Sequence, residues 1–179
     1  ANLDAATSAL RKHPWVRPAA VSFRYPDLHI ALQERQPFVI ARVPDQGLMW
    51  CDEAGHLLAA PSAEEAAAGV LVTGLGAPTP TADGPRLGDE AQWRVVRQVL
   101  RAEVSALPDW VELRFVPEGL DLLTEDGRRV RLPLVQFEAA LRRLASIWPA
   151  LGKRVSLRAL DLRIPGEFAF EGAAHSSSR

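Results

Sequence analysis

The sequence predicts an α+β fold built on a mostly antiparallel sheet, and three observations predict it. Short runs with a period of two recur along the chain, as where Leu28, Ile30 and Leu32 alternate with His29, Ala31 and Gln33. Two longer stretches step by three and four instead. One carries Trp93, Val96, Leu100, Val104 and Leu107, the other Leu134, Phe137, Leu141, Leu144 and Trp148; each puts an apolar stripe on one face of a helix. Turn signals such as Asp126-Gly127 join neighbouring short runs into hairpins.

Each element has a local cause. Asn2 can cap a helix over 3–12, with Leu3, Ala6 and Leu10 on one face. His13-Pro14 ends it, because proline lacks the N–H and pushes its predecessor out of the helical region. Trp15 reads as an anchor that packs this helix on a sheet. Extended runs over 19–25 and 28–35 flank a turn at Pro26-Asp27. Strands are then expected over 37–43, 48–51 and 56–59, joined as a meander by turns at 44–47 and 52–55. In the second turn, Asp52 supplies an Asx-type turn and Gly55 a positive-φ position.

Ser62-Ala63-Glu64-Glu65 is a capping box for a short alanine helix that stops at Gly69. A strand follows near 70–76, then a loop over 77–88 rich in proline and glycine. The first long helix spans 89–107, with Asp89 as N-cap and Pro108 as terminator. Strands over 110–116, 119–123 and 128–132 come next. In the first, Val111, Leu113 and Phe115 alternate with Glu112, Arg114 and Val116; in the last, Val130 and Leu132 point in while Arg129 and Arg131 point out. The second long helix spans 134–151. A final extended run over 154–170 slips phase near Arg158-Ala159, which a bulge would explain. Pro165-Gly166 breaks that run, and Phe168-Ala169-Phe170 resumes it before a small, polar tail.

Composition narrows the function. The 179 residues are enough to bury a core without a covalent staple, and the single cysteine, Cys51, allows no intrachain disulfide. With 21 basic and 22 acidic residues the formal charge is −1, which argues against a general nucleic-acid binder. There is no run of about 20 apolar residues of the kind a membrane span needs, and no signal peptide. His13, His29, His56 and His175 stand in no metal-ligand spacing. Cys51 has no adjacent basic group to activate it, and pairs such as Glu64-Glu65 and Asp89-Glu90 sit at helix starts, where the helix dipole favours acids. The expectation is no catalytic site, no metal and no cofactor; the function should lie on a surface. A strand-rich chain has edges, and an open edge pairs with other chains. The last strand, 160–170, is a candidate edge.

The ordered motifs carry a resemblance. From His13 to Pro37 the chain reads His-Pro-Trp-Val-x-x-Ala-x-Val-x-x-x-Tyr-Pro-Asp-Leu-x-Ile-x-Leu-x-Glu-Arg-x-Pro. Met49-Trp50-Cys51-Asp52-Glu53-Ala54-Gly55 and Leu160-Asp161-Leu162-Arg163-Ile164-Pro165-Gly166-Glu167-Phe168-Ala169-Phe170 follow in order. This set resembles the extracytoplasmic region of the FtsQ/DivIB family of bacterial cell-division proteins. Ile164 stands where that family has an aromatic, and Gly166 arrives one residue early.

The resemblance implies a truncated POTRA-like module over 1–35, a β-domain with two long amphipathic helices over 36–172, and a disordered tail over 173–179. It implies a non-enzymatic scaffold of the divisome that supports septum formation, anchored in the inner membrane by a single span outside this sequence. By position, the contacts for FtsB- and FtsL-type partners are Arg163, Ile164, Phe168 and Phe170 on the last strand. Val21 and Phe23 in the first module are the match for other divisome members. Phe168 and Phe170 have a second reading, as side chains that simply close the core. The other functional reading is a POTRA-bearing module of a translocation or outer-membrane assembly machine, binding client chains.

Overall fold

A computed structural model describes residues 5, 8–10, 12–17, 20–24, 27–102, 107–151 and 157–172. Asn2, half of the expected 3–12 helix and the whole 173–179 tail lie outside the described residues; Ala5 and residues 8–10 are helical. By contacts the chain forms two compact units, one of Ala1–Gly69 and Leu75–Trp93, the other of Val70–Gly74 and Arg94–Arg179. The fold is α+β.

The first unit is built from hairpins. Strands β1 (Ala20–Arg24) and β2 (Asp27–Ala31) pair antiparallel, with Val21 opposite Ile30 and Phe23 opposite Leu28. Strand β2 is shorter than its sequence pattern. Ile30 and Leu32, expected to point inward, are half exposed, and the chain leaves the ladder before Glu34, which bridges Val16. Trp15 is only half buried, although its carbonyl accepts from the Arg35 amide at 2.8 Å.

Strands β3 (Val39–Val43) and β4 (Gly47–Cys51) form the next hairpin, and Val39, Ile40, Ala41, Val43 and Cys51 are buried. The third meander strand does not form as a regular strand. Gly55 and Leu57 instead exchange backbone bonds with Leu87 and Pro85, while Leu58 and Ala59 bond to Trp50. The segment is shared between two neighbours, so it runs on neither ladder for long. Helix α1 (Ala63–Ala68) carries the complete capping box, Ser62 with Glu65, and ends where the Gly69 amide donates to the Glu65 carbonyl.

The proline-rich stretch is a hairpin and not a loop. Strands β6 (Thr79–Thr81) and β7 (Gly84–Arg86) pair across a two-residue turn. Pro80 and Pro85 face each other, a placement that asks neither for the donor it lacks. The Thr81 hydroxyl closes the turn on the Gly84 carbonyl at 2.6 Å.

Helix α2 (Glu90–Leu100) carries the chain from the first unit into the second. Asp89 caps it as expected: its carboxylate accepts from the Gln92 amide at 2.8 Å, and the Gln92 side chain returns the favour at 2.9 Å. The helix is shorter than its stripe suggested. Trp93, Val96 and Val99 are buried, Leu100 is half buried, Leu107 lies past the helix, and Val104 is outside the described residues.

In the second unit, β12 (Ala169–Gly172), β11 (Leu157–Asp161), β10 (Arg129–Leu132), β9 (Gly119–Thr124), β8 (Trp110–Val116) and β5 (Leu71–Thr73) lie side by side in that order. Pairs β8–β9, β9–β10 and β11–β12 are antiparallel; β5–β8 and β10–β11 are parallel. A parallel neighbour needs a crossover, and helix α3 (Phe137–Leu151) supplies it between β10 and β11. Phe137, Ala140, Leu144 and Trp148 are its buried face, and the Trp148 ring meets Trp110 at 6.2 Å, tilted by 57°. Leu134 precedes the helix and is exposed.

Two register shifts rearrange the expected faces. One lies between Trp110 and Glu112, leaving Val111 unpaired and outward while Trp110 turns in. The other lies between Leu157 and Ala159, at the bulge that the phase slip predicted.

Candidate functional site: the outer strand of the second unit

The stretch read as one final strand is a hairpin. Strand β11 ends at Asp161, the chain turns through Ile164, Pro165 and Gly166, and β12 returns antiparallel, with Phe170 opposite Leu160 and Ala169 opposite Asp161. The apolar positions keep the same parity on both sides of the turn, at Leu160, Leu162 and Ile164 before it and Phe168 and Phe170 after it, so the two strands share one pattern. Pro165 and Gly166 are the signals that divide it, and Gly166 has φ +81°.

The turn is held from the helix side. Arg143 on α3 points Nη2 at three carbonyls: Glu167 at 2.5 Å, Leu162 at 3.3 Å and Ile164 at 3.4 Å. Leu162 also donates its amide to the Arg131 carbonyl at 2.9 Å. The backbone that leads into β12 is therefore tied to both helix and sheet.

One face of this sheet is the core. Leu113, Leu122, Val130 and Leu160 lie in one cross-strand row, and each is fully buried. The next position in that row is Phe170, which is 58% exposed. Phe168 is 49% exposed and Ile164 63%. These side chains do not close the core; Phe170 carries its row onto the last strand, and Ile164 and Phe168 lie exposed in the turn and the approach to that strand. Strand β12 is the end of the sheet order and all of it is exposed.

The sequence-predicted contacts divide accordingly. Ile164, Phe168 and Phe170 share the β11–β12 hairpin and present apolar surface. Arg163 belongs to the same hairpin but is engaged: its guanidinium donates to Asp161 Oδ2 at 2.7 Å and Oδ1 at 3.0 Å. That bond, despite an opposing contribution from burial, holds the Asp161 carboxyl below the usual carboxylate range. Val21 and Phe23 lie on β1, in the other unit.

A second polar cluster escaped the reading of the sequence. Arg35 and Asp52, seen there as parts of two motifs, form a buried ion pair in the first unit. Arg35 Nη1 donates to Asp52 Oδ2 at 2.6 Å, and the side chains are 4% and 2% exposed. His56 Nδ1 lies 2.9 Å from Arg35 Nη1 and 3.2 Å from Asp52 Oδ2. Arg35 Nη2 reaches the Asp83 carbonyl at 2.9 Å. Asp52 also makes the expected Asx turn, accepting from the Ala54 and His56 amides at 2.9 Å each. The cluster ties the end of the first motif, the β4 turn and the β6–β7 turn together. Every group in it is committed to a structural partner. Among the described residues, no group of three or more His, Cys, Asp or Glu side chains is disposed to hold a metal ion.

These features define a class: an α+β module whose second-unit sheet ends, among the described residues, in a strand with no outer neighbour and with exposed apolar side chains. Residues 41–163 match the family described as cell division protein FtsQ/DivIB, C-terminal, and the chain belongs to that family. It is 30% identical over 187 residues to cell division protein FtsQ of Myxococcus fulvus, across 99% of this chain and 64% of that protein. It is also 30% identical over 188 residues to cell division protein FtsQ of Novosphingobium aromaticivorans, across 99% of this chain and 57% of that protein. The chain thus spans less than two thirds of the length of these relatives. No helix among the described residues is long and apolar enough to cross a membrane.

Proposed function

We propose that the chain is a non-enzymatic scaffold of the bacterial divisome, which binds FtsB- and FtsL-type partners through β12 in support of septum formation. The observation that carries this reading is the core row that runs out into solvent at Phe170, on a strand with no outer neighbour among the described residues. Strand addition there gives affinity through the backbone and specificity through alternate side chains. Ile164 and Phe168 enlarge the apolar surface. Arg163 acts through Asp161, by fixing the start of the turn. Membership of a cell-division family favours this reading over a client-binding module of a translocation machine.

In the same reading, 1–35 belongs to a POTRA-like module and 36–172 to the β-domain. Val21 and Phe23 on β1 are a second contact, for other divisome members. The region works outside the cytoplasm, on a protein held in the inner membrane by a single span.

Calorimetry with the extracytoplasmic parts of the FtsB- and FtsL-type partners from the same organism tests the proposal, with wild type and Phe168→Arg compared. Binding that is lost in the variant, with the melting temperature unchanged, supports an interface on the last hairpin. No binding by wild type, or equal binding by both proteins, sinks it.

A further inference from the structure

On the face of the second-unit sheet opposite its apolar rows, charges are laid out in register. Arg114 on β8 stands opposite Asp121 on β9, Asp121 opposite Arg131 on β10, and Arg131 opposite Asp161 on β11. The signs alternate across four strands, and the row ends at Ala169 on β12. Opposite charges facing each other stabilise a sheet, and like charges destabilise it. The next row runs Glu112, Leu123, Arg129, Ala159 and ends at Glu171 on β12.

The acids of these two rows on the inner strands have guanidinium partners. Glu112 has Arg114 at 2.9 Å, Asp121 has Arg131 at 3.8 Å, and Asp161 has Arg163 at 2.7 Å. Glu171 differs. It is exposed, makes no ion pair among the described residues, and stands on the strand that ends the sheet order among them. Its neighbour toward the sheet is Ala159, which offers no charge. In register, the position facing Glu171 on its other side falls on any strand added beyond β12.

We infer that the segment pairing with β12 carries a lysine or arginine opposite Glu171 on the charged face and an apolar residue opposite Phe170 on the helix face. This inference rests on the edge reading above and adds the chemistry of the partner. The register supplies both requirements: adjacent positions of β12 point to opposite faces, so the partner strand must alternate in the same way. An acid at the position facing Glu171 would be rejected by like charge, which makes the pair a specificity device as well as a contact.

The test uses the partner segment of the calorimetry experiment and adds Glu171→Lys, Glu171→Gln and Phe170→Arg. The expected result is weaker binding by Glu171→Lys, by roughly three- to tenfold at low salt, and a smaller loss for Glu171→Gln. High salt should shrink the difference. Each lysine and arginine of the partner segment is then changed to glutamate in turn. One of these should restore binding to Glu171→Lys while weakening binding to wild type. Binding that is sensitive to Phe170→Arg but unchanged in Glu171→Lys, or a loss that no charge swap restores, overturns the inference and leaves the edge reading intact. Binding insensitive to all the variants removes both. A dimer of the chain alone in light scattering, abolished by Phe170→Arg, makes a second copy the occupant and also overturns it.

Discussion

Arg35 and Asp52 meet at 2.6 Å in the interior of the first unit, 17 residues apart in sequence and nearly inaccessible to water. Removing one member of such a pair strands the other charge without solvent, which costs far more than the pair contributes. Arg35→Ala should lose about 3–5 kcal/mol of stability in urea unfolding. The double variant Arg35→Ala, Asp52→Ala should lose less than the sum of the two single changes. Additive losses would show that the two side chains act independently.

The same cluster sets a pH dependence. Burial lowers the His56 pKa from its usual 6.5; Asp52 pulls it up, and Arg35 adds to the effect of burial. The unfolded chain therefore takes up a proton that the folded chain resists, and stability should fall as the pH drops below 6.5. For Asp52, burial raises the carboxyl, but the His56 amide and the Arg35 guanidinium outweigh it and hold the group below its usual 3.8. Its contribution is full above 3.8 and is lost as the pH falls through the lower folded value. Melting temperatures measured across pH should show both slopes. His56→Gln should flatten the upper slope and leave the lower one; an unchanged upper slope would assign it elsewhere.

Cys51 is buried beside Asp52. Burial, with the neighbouring carboxylate adding to it, pushes its thiol up to about 12. The thiolate is the reactive form, so iodoacetamide at neutral pH should modify Cys51 only after the chain opens. Addition of urea should raise the alkylation rate in step with unfolding. Fast labelling of the folded protein would contradict this burial.

Leu160 and Phe170 occupy the same cross-strand pair but opposite circumstances, one sealed and the other largely open. Leu160→Ala should cost about 2–5 kcal/mol. Phe170→Ser should cost about 1 kcal/mol or less, because most of its ring already faces water. Chemical denaturation of the two variants decides it; equal losses would mean that Phe170 belongs to the core.

Local signals in the sequence foretold local structure well. The Ser62–Glu65 box, the Asp89 cap, the Asp126-Gly127 hairpin and the inward Val130 and Leu132 each depend on neighbours a few residues away. The errors arose where distant segments decide. Val111 alternates correctly in sequence, yet a bulge against β9 turns it out. Pro80 and Pro85 spell a loop until their pairing across a turn makes them a hairpin. Residues 55–59 have strand composition but divide their bonds between β4 and the β6–β7 hairpin. Exposure at Phe168 and Phe170 could not be read from alternation, since a core strand and an edge strand carry the same pattern. The buried Arg35–Asp52–His56 cluster was missed for a like reason. Its members are a motif end, a turn residue and an isolated histidine, and only the fold brings them together.

The connection β10–α3–β11–β12 also fixes an order in time. During synthesis the strands that bury Leu113, Leu122 and Val130 leave the ribosome before α3, and β12 leaves after all of them. Strand β12 is thus laid onto a sheet whose interior has already been translated, and it needs only its hairpin neighbour β11 to find its place. Until then the edge on offer is β11, with Asp161 beside Arg131. A partner that waits for Phe170 and Glu171 would engage only chains in which the sheet has been finished.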